Sequence, residues 1–201
     1  MQKQLSSKDL LNRKYWVFDM DGTLTIAQHD FDAIRDELGL PEGLPILESL
    51  DALPDKQSKP LHQRLNEIEL EIAAESKAAE GAELLLETLL NRGANIGVLT
   101  RNNKDNISVT LKAAGLDAYF EDSNLLSRDC VIPKPAPDGI LQLLKKWNAT
   151  ANDSVMVGDH LHDLLSGRAA GTKTLYVDPQ GEFVFKDDAD ICIHQLTELL
   201  S

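Results

Sequence analysis

Short apolar runs recur along this chain, each bounded by polar turn residues and followed by a segment of helical period, and that alternation leaves few folds open. It predicts strands from Tyr15 to Asp19, Asn95 to Thr100, Ser154 to Gly158, Thr174 to Val177 and Ile191 to Ile193. Crossover helices are expected from Gly81 to Asn91, Lys104 to Ala114, Pro137 to Trp147 and Leu161 to Ala170. Gly93, Gly115 and Gly171 fall where a left-handed residue would close three of those helices. The class expected is α/β, a doubly wound parallel sheet of the Rossmann-like kind.

One interval breaks the rhythm. About Thr25 to Ala79 is far too long for an ordinary crossover, so it is expected to be an insertion. The domains expected are a core of residues 1–24 and 80–201 and a small α-helical cap of residues 25–79. Leu61, Leu65, Ile68 and Ile72 follow i, i+4, i+7, i+11, which predicts an amphipathic helix from Pro60 to about Ala78. Phe31 to Leu38 and Leu44 to Leu53 read as shorter helices. The segments Gly39 to Pro45 and Pro54 to Pro60 read as loops over a site, the second carrying Lys56 and Lys59. These helices either form a lid or simply pad the sheet.

Charge narrows the partners. Acids outnumber bases 33 to 20 and the formal net charge is −13, which argues against a nucleic-acid partner, whose affinity comes largely from Lys and Arg on phosphates. A small anionic substrate would need a local cation, either a metal or placed Lys and Arg. Cys130 and Cys192 fit no metal spacing and read as two buried or half-buried free thiols of a reducing compartment, hence the cytoplasm. No window approaches the roughly 18 apolar residues that span a bilayer, and the start MQKQLSSKDLLNRK lacks the apolar centre of a signal peptide. Neither a membrane location nor export is expected, and disorder is confined to the first dozen residues at most.

The chemistry sits at strand ends. The first strand runs into DMDGTLT, placing Asp19 and Asp21 at the carboxyl edge of the sheet, where doubly wound folds bind ligands. Two acids so close repel, and a hard divalent cation would compensate; Gly22 lets the chain turn with backbone groups facing a bound anion. A plain Asp/Gly turn is the simpler alternative. A second acidic group, VGDHLHD, follows another strand, with Asp159 at its end and Asp163 near the start of the next helix. Helix capping by Asp159 would account for one acid but not for a matching pair elsewhere. Thr100 ends the strand Ile96 to Leu99, where its hydroxyl could hold a phosphoryl oxygen. Lys134, between Pro133 and Pro135, offers an ammonium that could neutralise Asp19 and a transferring phosphate. Arg101 could bind a phosphate or carboxylate, but a rim salt bridge is the preferred reading. His160 and His162, with no Cys or third His nearby, do not make a zinc site.

In this order, DMDGTL, Thr100 in VLT, Lys134 and GDHLHD resemble the four motifs of the haloacid dehalogenase superfamily, over Tyr15 to about Val177. The resemblance is to its phosphoglycolate phosphatase-like subgroup with a short type-one helical cap. It implies a Mg²⁺-dependent phosphoric monoester hydrolase acting on a small phosphorylated metabolite. Asp19 would be nucleophile and metal ligand, and Asp21 general acid/base, lending a backbone carbonyl to the metal. Asp159 would be a direct ligand and Asp163 a ligand or the partner of one. Physical chemistry agrees, because a carboxylate attacks phosphorus only where charge repulsion is suppressed. Dehalogenating relatives lack the second acid of the first motif, so Asp21 favours phosphate esters. The competing readings are a phosphomutase of the same superfamily and a non-catalytic phospho-ligand-binding or signalling module.

Overall fold

The computed structural model describes residues 6–28, 30–42 and 44–200. Its centre is β1 (Tyr15–Phe18), whose residues Trp16, Val17 and Phe18 are wholly buried, as a strand covered on both faces requires. Around it lie β2 (Asn95–Leu99), β3 (Leu125–Leu126), β4 (Ser154–Gly158), β5 (Lys173–Val177) and β6 (Ile191–Ile193). All pairs are parallel, in the order β3-β2-β1-β4-β5-β6. Phe18 stands in register with Val98 on one side and Val157 on the other. The winding reverses between β1 and β4, and such a reversal opens a crevice at the strands' carboxyl ends.

Side-chain alternation assigns the two faces. Trp16 and Phe18 of β1 join Leu85, Leu86 and Leu89 of α5 (Ala82–Asn91) and Ile107 and Leu111 of α6 (Lys104–Ala113), whereas Val17 faces Ile140, Leu143 and Leu144 of α7 (Asp138–Lys146). The helix α8 (Leu161–Ala170) follows β4 and ends at Gly171 in the left-handed conformation, φ 79°. Most expected elements are present within a residue or two of their expected ends.

Some expectations change. The helix α1 (Ser7–Leu11) was not anticipated; it is started by a capping box between Ser6 and Asp9 and anchored by fully buried Leu10. The two-residue β3 was not anticipated, being too short to show a period. Cys130 is exposed rather than buried.

Between β1 and β2 the chain forms α2 (Phe31–Leu38), α3 (Ile46–Asp51) and α4 (Asp55–Ala74). They enclose a separate apolar cluster of Ile34, Leu38, Leu50, Leu65 and Ile68. The insertion leaves and returns through adjacent backbones, with Ile26 N–H donating to Lys77 O and Ala79 N–H to Leu24 O, both at 2.9 Å. The segment Pro54 to Pro60, expected as a loop, is the start of α4. Asp55 favours the positive helix end and pairs with Lys59 at 3.2 Å. Pro60 lies inside this helix on its exposed side, where the carbonyl that loses its partner can turn to water. Neither Lys56 nor Lys59 reaches the crevice described next.

Candidate active site

β1 and β4 end side by side, and the first residue beyond each is an aspartate. Asp19 N–H donates to Val157 O at 2.8 Å, so the ladder carries its buried side chain to the top of the sheet. The chain then folds on the Met20 carbonyl, which accepts from Leu24 and Thr25 N–H at 2.9 Å. Gly22 has φ +84°, and a Cβ there would lie 2.2 Å from Asp159 Oδ2. Its importance therefore departs from the expectation of a backbone facing an anion. The Gly22 N–H is used within the turn, donating to Thr25 O at 2.9 Å, and the missing side chain makes room for Asp159. Thr23 Oγ1 steadies that carboxylate with a hydrogen bond of 3.3 Å.

Beyond β4, helix α8 is capped by His160, not Asp159. The His160 ring accepts from His162 N–H at 3.2 Å, and Asp163 Oδ2 accepts from His160 N–H at 3.0 Å. Gly158 permits this fold-back, since a Cβ on it would meet Asp163 Cβ at 2.2 Å. Asp159 is thereby left free of capping duty.

Lys134 is buried, with its ammonium 2.5 Å from Asp19 Oδ1 and 2.6 Å from Asp163 Oδ1. Burial works against its charge, but Asp163 and Asp19 outweigh that and hold its pKa above the ordinary lysine range. Burial raises the Asp19 carboxyl, with Lys134 opposing. Asp159 is raised well above the usual range by burial and then by the Asp19 and Asp163 charges. Asp21 is pushed up to about 7, again by burial first and then by Asp19; Asn102 Nδ2 donates to its Oδ2 at 2.7 Å.

Oxygens of Asp19, Asp159 and Asp163 all lie within 4.8 Å of one another. A small, purely oxygen-bearing group of this kind suits a hard divalent cation. The Asp21 carboxylate is not part of that group. Thr100 continues β2, its N–H donating to Leu126 O at 3.0 Å, and its hydroxyl accepts from Asn102 N–H at 3.1 Å. A cavity of about 400 Å³ receives Asp19, Asp21, Thr100, Arg101, Lys134, Asp159 and Asp163 together. Gly22 is not among the residues that line it.

Residues 16–177 match the family model described as haloacid dehalogenase-like hydrolase. The chain belongs to this family. Among its relatives is an uncharacterized hydrolase of Saccharomyces cerevisiae, 29% identical over 207 aligned residues that cover 100% of this chain and 95% of the yeast protein. The pyrophosphatase PpaX of Bacillus pumilus is 37% identical over a shorter stretch, 58% of this chain and 55% of PpaX. The fold is shared with a hydrolase from Pseudomonas syringae, at TM-score 0.76 and 23% identity, covering 94% of this chain and 96% of that one. A predicted phosphoglycolate phosphatase from Haemophilus somnus superposes with TM-score 0.76 at 19% identity, covering 94% and 97%. No helix among the described residues is long and apolar enough to cross a membrane.

In this haloacid dehalogenase-like hydrolase residues of the insertion and of the sheet's edge line the crevice together, and ion pairs join the two. Arg101 pairs with Glu48 of α3 at 2.5 Å and donates to His162 Nδ1 at 2.7 Å, so its guanidinium shows the rim-bridge arrangement. Arg128 makes two hydrogen bonds of 3.1 Å to Glu69 of α4, whose carboxylate also accepts from Asn106. Sequence reading missed this pair because its members are 59 residues apart. The available signal was an acid, Glu69, beside the apolar stripe of α4. Burial, and then Arg101, lowers His162 to about 4, and burial also lowers His160.

Proposed function

We propose that the protein is a magnesium-dependent phosphatase that hydrolyses a small phosphate monoester by way of a phosphoryl group carried on Asp19. The observation that supports this most is the unlike pair after β1. Asp19 lies against a buried ammonium, and Asp21 beside it has a carboxyl that titrates near neutrality, at about 7. One group is prepared to attack and the other to carry a proton.

In this mechanism an Asp19 oxygen forms a bond to phosphorus as the ester P–O bond breaks, and Asp21 gives its proton to the departing oxygen. Asp21, now a carboxylate, takes a proton from water as water attacks the acyl phosphate, releasing inorganic phosphate and restoring Asp19. Lys134 and the Thr100 hydroxyl donate to the non-bridging oxygens. Asp19 and Asp159, with the Asp21 carbonyl, would hold Mg²⁺, which would supply charge neutralisation between carboxylate and phosphate. Asp163 has both oxygens engaged, by Lys134 and by the His160 cap, and serves best as a positioning residue.

Residues 25–79 would act as the cap of a core made of 1–24 and 80–201. Free thiols at Cys130 and Cys192 suit a reducing cytoplasm, and the net charge of −13 keeps nucleic acid out of the partner set.

The test is phosphate release in isotopically labelled water with Mg²⁺. A hydrolase incorporates solvent oxygen into inorganic phosphate at each turnover. Isomer interconversion with little release would indicate a mutase, and a stable phosphoprotein without turnover a signalling module.

A further inference from the structure

Two imidazoles, His160 and His162, line the cavity together with its carboxylates. Each has one nitrogen committed, and that commitment decides where the ring carries its proton. The main-chain N–H of His162 can only donate, and it donates to His160 Nδ1 at 3.2 Å. A guanidinium also can only donate, and Arg101 does so to His162 Nδ1 at 2.7 Å. A ring that accepts at Nδ1 is a neutral imidazole with its hydrogen on Nε2. Both rings therefore carry an Nε2–H donor, and among the described residues neither donor has a hydrogen-bond partner.

The rings are held in place. They meet edge to face with centroids 4.6 Å apart, and Phe185 packs edge-on against His160 at 5.6 Å. His160 directly follows Asp159 and its N–H is bound by Asp163 at 3.0 Å, so the donors stand next to the acidic cluster. The cations on the same walls already carry carboxylates. Arg35 pairs with Asp32 at 2.8 Å, Arg101 with Glu48 at 2.5 Å and Arg128 with Glu69 at 3.1 Å, while Lys134 lies between Asp19 and Asp163. A second anionic group on a substrate would have to displace one of these carboxylates. An uncharged hydroxyl oxygen needs only a neutral donor, and two are on offer.

From this pair of oriented donors we infer that His160 and His162 are specificity-determining residues that hydrogen-bond hydroxyl oxygens of the leaving group, and that the substrate is the phosphate monoester of an uncharged polyhydroxy alcohol. The inference rests on the phosphatase reading for the phosphate end and adds what recognises the rest of the molecule. The two rings contact the leaving group and not the reacting atoms. A hydrocarbon chain in the same place would strip water from both N–H groups and return no acceptor, which is how a site built for hydroxyls rejects an analogue lacking them.

The test titrates hydrolysis-inert probes calorimetrically into the full chain with Mg²⁺: butylphosphonate, 3,4-dihydroxybutylphosphonate and 4-phosphonobutanoate. The diol should bind about ten- to twenty-five-fold more tightly than butylphosphonate, the effect of two net hydrogen bonds at roughly three- to fivefold each. His160→Asn and His162→Asn each keep an acceptor oxygen in place of Nδ1, for the helix cap and for Arg101, but have no donor at the Nε2 position. Each should narrow the ratio at least about threefold. Because the two probes share the phosphonate, the ratio cancels any effect of a variant on the metal or the phosphate end. Equal or weaker binding of the diol overturns the inference, as does an unchanged ratio in both variants. Tighter binding of 4-phosphonobutanoate than of the diol overturns the uncharged class in favour of a second anion. A turnover panel of butyl phosphate, glycerol phosphate, a hexose phosphate and pyrophosphate separates the two levels. Release from none of them, or from pyrophosphate alone, overturns the monoester phosphatase reading. A higher kcat/KM for butyl phosphate than for both hydroxylated esters overturns only the assignment of the leaving group.

Discussion

The side-chain amide of Asn102 donates to Asp21 Oδ2 at 2.7 Å, reaching from the end of β2 to the turn after β1. That bond favours the ionised carboxyl and works against the burial that raises Asp21 to about 7. Replacing Asn102 with Ala should therefore raise Asp21 further. For an alkyl ester, whose leaving oxygen needs a proton, the alkaline limb of the kcat/KM profile should move to higher pH. An unmoved limb would show that Asp21 is not the acid.

Asp21→Ala should slow alkyl esters by roughly 10²-fold or more and activated aryl esters much less, because a good leaving group needs little protonation. Equal losses for the two classes would remove Asp21 from the first step. Asp19→Asn should abolish both, since an amide is a poor nucleophile, with a melting curve showing the fold retained.

Lys134 offers a stability test of the same site. Its ammonium lies against Asp19 and Asp163, and removing it leaves two buried acids facing each other. Lys134→Met should destabilise the protein by roughly 3–5 kcal/mol in urea unfolding, the usual cost of orphaning a buried charge. Adding Asp19→Asn should recover part of that loss. Strict additivity would mean that the contact carries no coupling.

Gly22→Ala should weaken metal binding more than a surface change would. The φ of +84° costs roughly 1–2 kcal/mol for any L side chain, and the new Cβ would occupy the place of Asp159 Oδ2. The expected result is a modest loss of stability with a larger loss of Mg²⁺ affinity, read by calorimetry. Affinity equal to the parent chain would separate Gly22 from the placement of Asp159.

The parts legible in the sequence were those encoded by local pattern. Apolar runs ending in Asp19, Thr100 and Asp159 carry both the strand and the acid or hydroxyl at its end, so fold and site are written in the same few residues. Leu61, Leu65, Ile68 and Ile72 likewise mark their helix by spacing. What escaped depends on three-dimensional closure. Leu125–Leu126 becomes a strand only because β2 lies beside it, and Glu69 meets Arg128 only once α4 folds back over the crevice. The capping of α8 by His160 was hidden for another reason. Histidine is an uncommon cap, and Asp159 stood next to it as the better candidate by composition.

The last prediction joins pH to metal. In the metal-free protein Asp21 is raised from 3.8 to about 7, and Asp19 and Asp159 are raised as well. A group raised in the folded state binds protons more tightly there, so its stabilising contribution is complete below its unfolded value near 3.8 and is lost as pH rises through its folded value. Metal-free stability should thus fall from about pH 4 to about pH 7. The histidines oppose this, because lowered values, about 4 for His162, give a contribution that is complete above 6.5 and is lost as pH falls. They are more exposed than Asp19 and screened by solvent, so the three acids should dominate. Magnesium needs the ionised carboxylates, and its stabilisation should grow across the same interval. At neutral pH and a concentration tenfold above its Kd it should add roughly 1.4 kcal/mol, a melting shift of about 2–4 °C. Asp159→Asn should leave the metal-free protein at least as stable, by removing one repelling acid, and should shrink the magnesium shift. The measurement is a set of melting curves at pH 5, 6, 7 and 8, with Mg²⁺ and with chelator, at matched ionic strength. A full magnesium response in Asp159→Asn would remove Asp159 from the ligand set, and a metal-free stability that rises from pH 5 to 7 would place the histidines above the acids in control of the site.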